Sequence, residues 1–265
     1  MKIYTLPGNF DFYITPFCTL SCTGCSAIDY KNIGNAVGDS MSMEDLKELA
    51  NTLLRLNLKL QSLTFMGGEP TIHKQYYELA EYISQYKGIV YDELILHTNG
   101  TNINRTFLNS LKYFDTIKFT FYEVSLPLKD SLEKSGIKRY IEKQGVKVYI
   151  KTPKEFFVFG KKEKDLEYSQ ELNWQRCFMK HTCRVITNKE LYRCDITYYE
   201  KKEGLKLDDR EKIIKFIENQ DKPLDKCKTC PFPPKTMKWE TNNLKRDQRN
   251  TNIAINKIEK LQLEL

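Results

Sequence analysis

Through roughly the first 150 residues, short apolar runs alternate with stretches in which apolar residues recur every three or four positions. Phe10 to Thr15 reads as a strand. Ser42 to Leu56 reads as a helix, with Ser42 as N-cap, Asp45 three residues on, and Leu46, Leu49, Ala50, Leu53 and Leu54 on one face. The same rhythm predicts strands Ser62 to Met66, Glu93 to Thr98, Thr116 to Tyr122 and Val146 to Lys151, separated by helices His73 to Tyr86, Asn104 to Tyr113 and Lys129 to Lys143. Such alternation predicts an α/β fold on a parallel sheet, open or curled into part of a barrel.

In folds of that kind the loops beyond the strands' C-terminal ends carry the chemistry, because those ends converge on one rim. A cysteine cluster follows the first strand, Gly67-Gly68-Glu69-Pro70 the second, and Thr98-Asn99-Gly100 ends the third. After Pro153 the rhythm fades into a polar stretch, and five cysteines fall between Cys177 and Cys230. The expected division is a core over 1–160, a Cys-rich unit over 161–238 and a charged tail over 239–265. Cys183 to Cys194 predicts a β-hairpin turning at Asn188-Lys189, with a cysteine at each open end. The tail reads as a solvated closing helix, with Ile253, Ile255, Ile258 and Leu261 among its few apolar residues.

Composition narrows the class. With 40% hydrophobic and 12% aromatic residues in 265, the chain can bury a substantial core. No apolar run has the length of a membrane span and the first residues lack a secretory pattern, so a cytoplasmic protein is expected. Eight cysteines grouped in ligand-like clusters point to metal binding rather than disulfides. The net charge of +7 is spread along a chain rich in both signs, which gives nucleic acid no particular weight as a partner.

Cys18, Cys22 and Cys25 place three thiols within eight residues, and no fourth Cys or His lies nearby. One loop can thus wrap three corners of an iron–sulfur cubane and leave one iron open; a zinc site completed from a distance is the alternative. The spacing C-x3-C-x2-C resembles that of the radical S-adenosylmethionine (SAM) superfamily, over roughly residues 10–150. That resemblance implies a partial (β/α)6-type barrel and a [4Fe-4S] cluster whose open iron takes the amino and carboxylate groups of SAM. Reduction would then release a 5'-deoxyadenosyl radical. Gly67, Gly68, Glu69 and Pro70 are similar to the superfamily's GGEP motif, which engages the methionyl amino group, and Thr98-Asn99-Gly100 is similar to its TNG element, which implicates Asn99 in the ribose or methionyl portion. The chain departs from the pattern at Gly24, where the superfamily often has an aromatic residue, so adenine packing is expected from Phe17 or the region of Tyr122.

Cys227 and Cys230, followed by Pro231, form a half-site for zinc or iron–sulfur, which the hairpin cysteines Cys183 and Cys194 could complete. Beside the first cluster, this arrangement resembles a twitch domain, the shortened relative of SPASM, and implies an auxiliary [4Fe-4S] cluster. Lys189 stands where that family usually has glycine. Cys177 is a fifth claimant, readable as a replacement for Cys183, as an inert apolar residue or as a thiol donor. His73, His97 and His181 have no spacing partners and read as structural.

The resemblance implies an enzyme that oxidises or cross-links a peptide or a carbohydrate-like small molecule, supplied with electrons by a flavodoxin or ferredoxin. With 17 residues before Cys18, no built-in leader-peptide domain is expected. Competing readings are a zinc or iron–sulfur scaffold without catalysis, a radical SAM RNA-modifying enzyme, and a glycyl-radical activase.

Overall fold

The computed structural model describes residues 2–25, 40–158, 170–177, 180, 183–199, 201, 203–219, 222–228 and 235–262. Cys230, His181 and the polar stretch 159–169 lie outside the described residues, as does the side chain of Cys183.

The expected alternation is present. Strand β1 (Tyr4–Thr15) leads through the cysteine loop to helix α1 (Met43–Arg55), β2 (Leu58–Gly67), α2 (Tyr76–Ser84), β3 (Tyr91–Thr98), α3 (Arg105–Ser110) and β4 (Thr116–Thr120). Helices α4 (Leu126–Lys134) and α5 (Ile137–Lys143) then precede β5 (Lys147–Lys151). Ser42 caps α1 as expected, its hydroxyl accepting from Asp45 N at 3.2 Å while Asp45 Oδ2 accepts from Ser42 N at 2.9 Å. The single helix expected over Lys129–Lys143 is two, because Gly136 takes a φ of +81° between them, a left-handed conformation that ends a helix.

All five strands run parallel, in the order β5-β4-β3-β2-β1. Their inner faces supply Phe10, Phe12, Leu63, Phe65, Leu94, Leu96, Ile117 and Phe119, all fully buried in one core with Leu46, Leu49 and Leu53 of α1. These alternate positions share one face of the sheet, and Asp11, Tyr13, Thr64 and His97 occupy the other.

The sheet continues past β1 on the opposite side from β5. Strand β7 (Cys183–Ile186) pairs with β1 in parallel, and β8 (Glu190–Tyr192) and β9 (Leu205–Lys206) extend it antiparallel. The hairpin is therefore built into the core sheet, across the boundary expected near residue 160. Its turn is docked too: Asn188 Nδ2 donates to Asp45 Oδ1 at 2.9 Å and to Glu48 Oε2 at 2.7 Å. The sixth parallel strand of the described sheet thus borders β1, and the sheet is open, one of the two forms the alternation allowed.

Strand β6 (Glu155–Val158) pairs instead with β10 (Lys235–Lys238) in a separate two-stranded sheet. Helices α6 (Gln170–Arg176), α7 (Asp195–Tyr199) and α8 (Arg210–Glu218) complete the second half, and α9 (Leu244–Gln262) closes the chain. No described helix is long and apolar enough to cross a membrane.

Candidate functional site

The three rim loops meet as the parallel topology requires. Cys18, Cys22, Cys25, Gly67, Gly68, Thr98 and Asn99 line one cavity of about 200 Å³. Burial pushes the Cys18 thiol well up and the Cys22 thiol up to about 12, so without metal both are neutral, and a ligating metal must displace their protons. Among the described residues no three Cys, His, Asp or Glu side chains close on one ion position. The donor set, three soft thiols spread around one cavity, suits a multinuclear iron–sulfur cluster held at three corners.

The glycine pair is required by the protein's own backbone. A Cβ on Gly67, whose φ is +141°, would lie 2.2 Å from Thr15 O, and one on Gly68 would lie 2.0 Å from Phe17 O. The loop after β1 passes that closely because Gly68 N and Glu69 N donate to Thr15 O and Phe17 O, at 2.8 and 2.7 Å. The cysteine loop and the Gly67-Gly68 turn are thus one hydrogen-bonded unit.

Glu69 is fully buried and does not line the cavity. Its Oε1 accepts from Thr71 N, Thr71 Oγ1 and Thr98 Oγ1 at 3.2, 2.6 and 2.7 Å, and its Oε2 accepts from Asn99 N at 2.7 Å. Burial raises its carboxyl against these bonds, which favour the charged form. Pro70, also buried, opens the short turn that presents Thr71 to it. Asn99 Nδ2 donates to Thr19 Oγ1 at 3.1 Å and points to Cys18 Sγ at 3.5 Å, while its Oδ1 accepts from Thr101 N at 2.9 Å. The TNG element therefore braces the cysteine loop directly.

Gly24 takes a φ of +74°, a region an aromatic side chain would strain. Tyr122 lines the cavity wall, whereas Phe17 is 54% exposed and does not.

Sequence reasoning missed the polar floor of this cavity. Asp195, Tyr13, Tyr199, His97 and Thr120 line it. Asp195 Oδ1 is buried with no hydrogen-bond partner among the described residues, and burial pushes its carboxyl up to about 6. Asp11, buried beside it, is also raised, by burial and then by the Asp195 charge. His97 Nε2 bonds Thr120 Oγ1 at 2.8 Å; burial first, then Lys118 and Lys151, lower its pKa to about 4. It faces the cavity, where a purely structural histidine was expected. His73 keeps such a role, its Nδ1 accepting from Gln75 N at 3.0 Å.

The second cysteine group is partly in view. The register Val185–Tyr192 and Ile186–Leu191, continued outward, sets Cys183 across from Cys194 at the hairpin's open end. Cys194 is half-buried, its thiol raised to about 11 by desolvation, and donates to Thr197 Oγ1 at 3.7 Å. Cys177, at the end of α6, lies within electrostatic reach of Cys227, whose thiol burial raises first and the Cys177 charge further. Asn173 Nδ2 and Gln170 Nε2 of α6 hold the Cys227 turn through Cys227 O and Leu224 O at 2.7 and 2.9 Å. Cys177, half-buried, thus lies near a second cysteine.

The tail is also more than a solvated helix. Trp239 is buried against Cys22 and Leu20, and Asp247 of α9 is fully buried against Ser21.

Comparison with known proteins agrees with this geometry. Residues 12–166 match the family described as the Radical SAM superfamily. Over 92 residues the chain is 33% identical to GTP 3',8-cyclase of Haemophilus ducreyi, covering 35% of this chain and 26% of that protein. The same enzyme of Paracoccus denitrificans is 29% identical over 92 residues, again 35% and 26%. The matched stretch thus spans about a quarter of these curated relatives. Among solved structures, BtrN in complex with AdoMet and 2-DOIA superposes with a TM-score of 0.52 at 14% identity, covering 83% of this chain and 85% of that one. Native anSMEcpe with bound AdoMet gives 0.51 at 16% identity, covering 97% and 100%. At such identities these likenesses show the fold alone.

Proposed function

Starting from the fact that this chain belongs to the radical SAM superfamily, we propose that it is a SAM-cleaving enzyme whose [4Fe-4S] cluster is held by Cys18, Cys22 and Cys25. The observation that carries this is the single cavity lined by those three cysteines, Gly67, Gly68 and Asn99, from the ends of three successive parallel strands. When bound, the cluster and SAM supply a 5'-deoxyadenosyl radical able to take a hydrogen atom from a substrate.

The chain's own residues bind, orient and enclose. Asn99 Nδ2 fixes the Cys18 sulfur, and Gly67 and Gly68 leave their backbone open to the methionyl group, with Pro70 setting the turn that follows. Glu69 acts from behind, holding the second and third rim loops in register. Tyr122 offers a ring to the adenine, and Asp195 places a carboxyl group in the wall of the substrate's cavity. The cavity walls limit the access of water to a radical.

An auxiliary [4Fe-4S] cluster in a twitch-like unit is a second element of the proposal. Its ligands are Cys194, Cys227 and Cys230, and Cys177 takes the fourth place in preference to Cys183, because α6 delivers it to Cys227. Such a cluster would bind substrate or accept an electron from the product radical. The substrate is a peptide or a carbohydrate-like small molecule; BtrN, of similar fold, is complexed with 2-DOIA. A flavodoxin or ferredoxin supplies the electron.

The test is anaerobic reconstitution followed by iron and sulfide quantification and electron paramagnetic resonance (EPR) of the reduced protein with and without SAM. A [4Fe-4S] signal reshaped by SAM, and lost in the Cys18→Ala, Cys22→Ala, Cys25→Ala triple variant, is expected. Zinc in place of iron, or a signal indifferent to SAM, overturns the proposal.

A further inference from the structure

The cysteine loop is held by the C-terminal segment. Thr23 N donates to Glu240 O and Asn242 N to Ser21 O, each at 2.9 Å, around an antiparallel bridge between Cys22 and Thr241. Asp247 accepts from Ser21 N at 2.9 Å, from Ser21 Oγ at 3.0 Å and from the Thr241 hydroxyl, and Asn250 Nδ2 donates to Thr19 O at 2.7 Å. This pairing lays Trp239 against Cys22. Trp239 is 7% exposed and Cys22 5%, in one apolar cluster with Leu20, and the indole stacks on Tyr122 at 6.0 Å between ring centroids and 16° between planes.

Trp239 borders a broad groove of about 880 Å³, yet its Nε1 is out of reach of solvent and has no hydrogen-bond partner among the described residues. Native proteins seldom leave a buried N–H donor unused. The acceptor packed beside it is the Cys22 sulfur, poor as a thiol and strong as a thiolate.

We propose that Trp239 is a positioning residue for the cluster: its indole N–H donates to the Cys22 thiolate once that sulfur ligates iron, and so raises the cluster's reduction potential. The reasoning is electrostatic, since a donor to a ligating sulfur stabilises the more negative, reduced cluster. The inference rests on the reading of Cys18, Cys22 and Cys25 as cluster ligands.

The test is an EPR-monitored redox titration of reconstituted wild-type and Trp239→Phe proteins, phenylalanine keeping the ring stack and losing the donor. At the wild-type midpoint, the ratio of reduced to oxidised cluster should fall about tenfold, equivalent to about 59 mV for a one-electron couple, with iron content unchanged. An unchanged midpoint at full iron content overturns the proposal.

Should Trp239→Phe lose iron, protein carrying indole-15N tryptophan decides. The chain has two tryptophans, so Trp174→Phe leaves Trp239 as the sole label. Electron–nuclear double resonance on its reduced cluster should show a coupled 15N, and a spectrum without one overturns the bond. Wild-type protein that takes up no iron would overturn the cluster reading and this inference together.

Discussion

The backbone N–H of Asn99 donates to Glu69 Oε2 at 2.7 Å, so one buried carboxylate joins the loop after β3 to the loop after β2. Three further donors, from Thr71 and Thr98, meet its other oxygen. All four partners are donors, which only a carboxylate can accept without conflict.

Glu69→Gln must turn its amide nitrogen toward one of those donors. We expect a loss of about 1–3 kcal/mol of stability, the usual cost of a buried group left without its partner, seen as a thermal midpoint several degrees lower. SAM affinity, measured by calorimetry on the reconstituted protein, should fall as well, although Glu69 does not line the cavity. Unchanged stability and affinity would show that the two loops keep their register without it.

Asp247 predicts a distant effect on the cluster. It is fully buried and accepts from Ser21 N, Ser21 Oγ and Thr241 Oγ1. Asp247→Ala removes hydrogen bonds to a charged group worth about 1.5–3 kcal/mol each. Iron retention against a chelator should weaken at least about tenfold, since each 1.4 kcal/mol is a factor of ten. Equal chelation rates in variant and wild type would contradict the clamp.

The second cysteine group gives a direct count. With two [4Fe-4S] clusters the reconstituted protein should hold about eight irons per chain. Cys177→Ser should lower this to about four while the SAM-responsive signal persists, and Cys183→Ser should leave it near eight. The reverse pattern would return the fourth ligand to the hairpin.

His97 supplies a pH dependence. Its pKa falls from 6.5 to about 4 on burial, so the fold favours the neutral ring. A lowered pKa contributes stability that is fully present above 6.5 and is lost as pH falls through 4. By the relation of one unit to 1.36 kcal/mol, the contribution is up to about 3 kcal/mol. In denaturant titrations at pH 7, 5.5 and 4.5, His97→Gln should lose less stability on acidification than the wild type does. Parallel losses would mean that the wild-type ring protonates freely in the fold.

Much of the core could be read in advance because its signals are local. The Ser42–Asp45 capping box and the 3.6-residue pattern of Leu46, Leu49 and Leu53 define α1, and the apolar runs ending at Thr15, Gly67 and Thr98 define the strands that carry the rim loops. What escaped depends on pairing between distant segments. Nothing near Cys183 announces that β7 adds to the outer edge of β1, and nothing in the charged sequence around Asp247 announces a partner at Ser21, 226 residues away. Glu69 was legible as a residue of the motif, but its four donors come from two loops, so its placement behind the cavity was not. Asp195 had a signal that went unused: an acidic residue directly after the cysteine at the open end of the hairpin.

The central claim is tested most directly by chromatography of anaerobically reconstituted, dithionite-reduced protein given SAM. The account predicts 5'-deoxyadenosine and methionine in equal amounts from the wild type and none from Cys22→Ala at matched protein concentration. Deoxyadenosine from the Cys22→Ala protein, or none from wild type with its iron fully loaded, would contradict it.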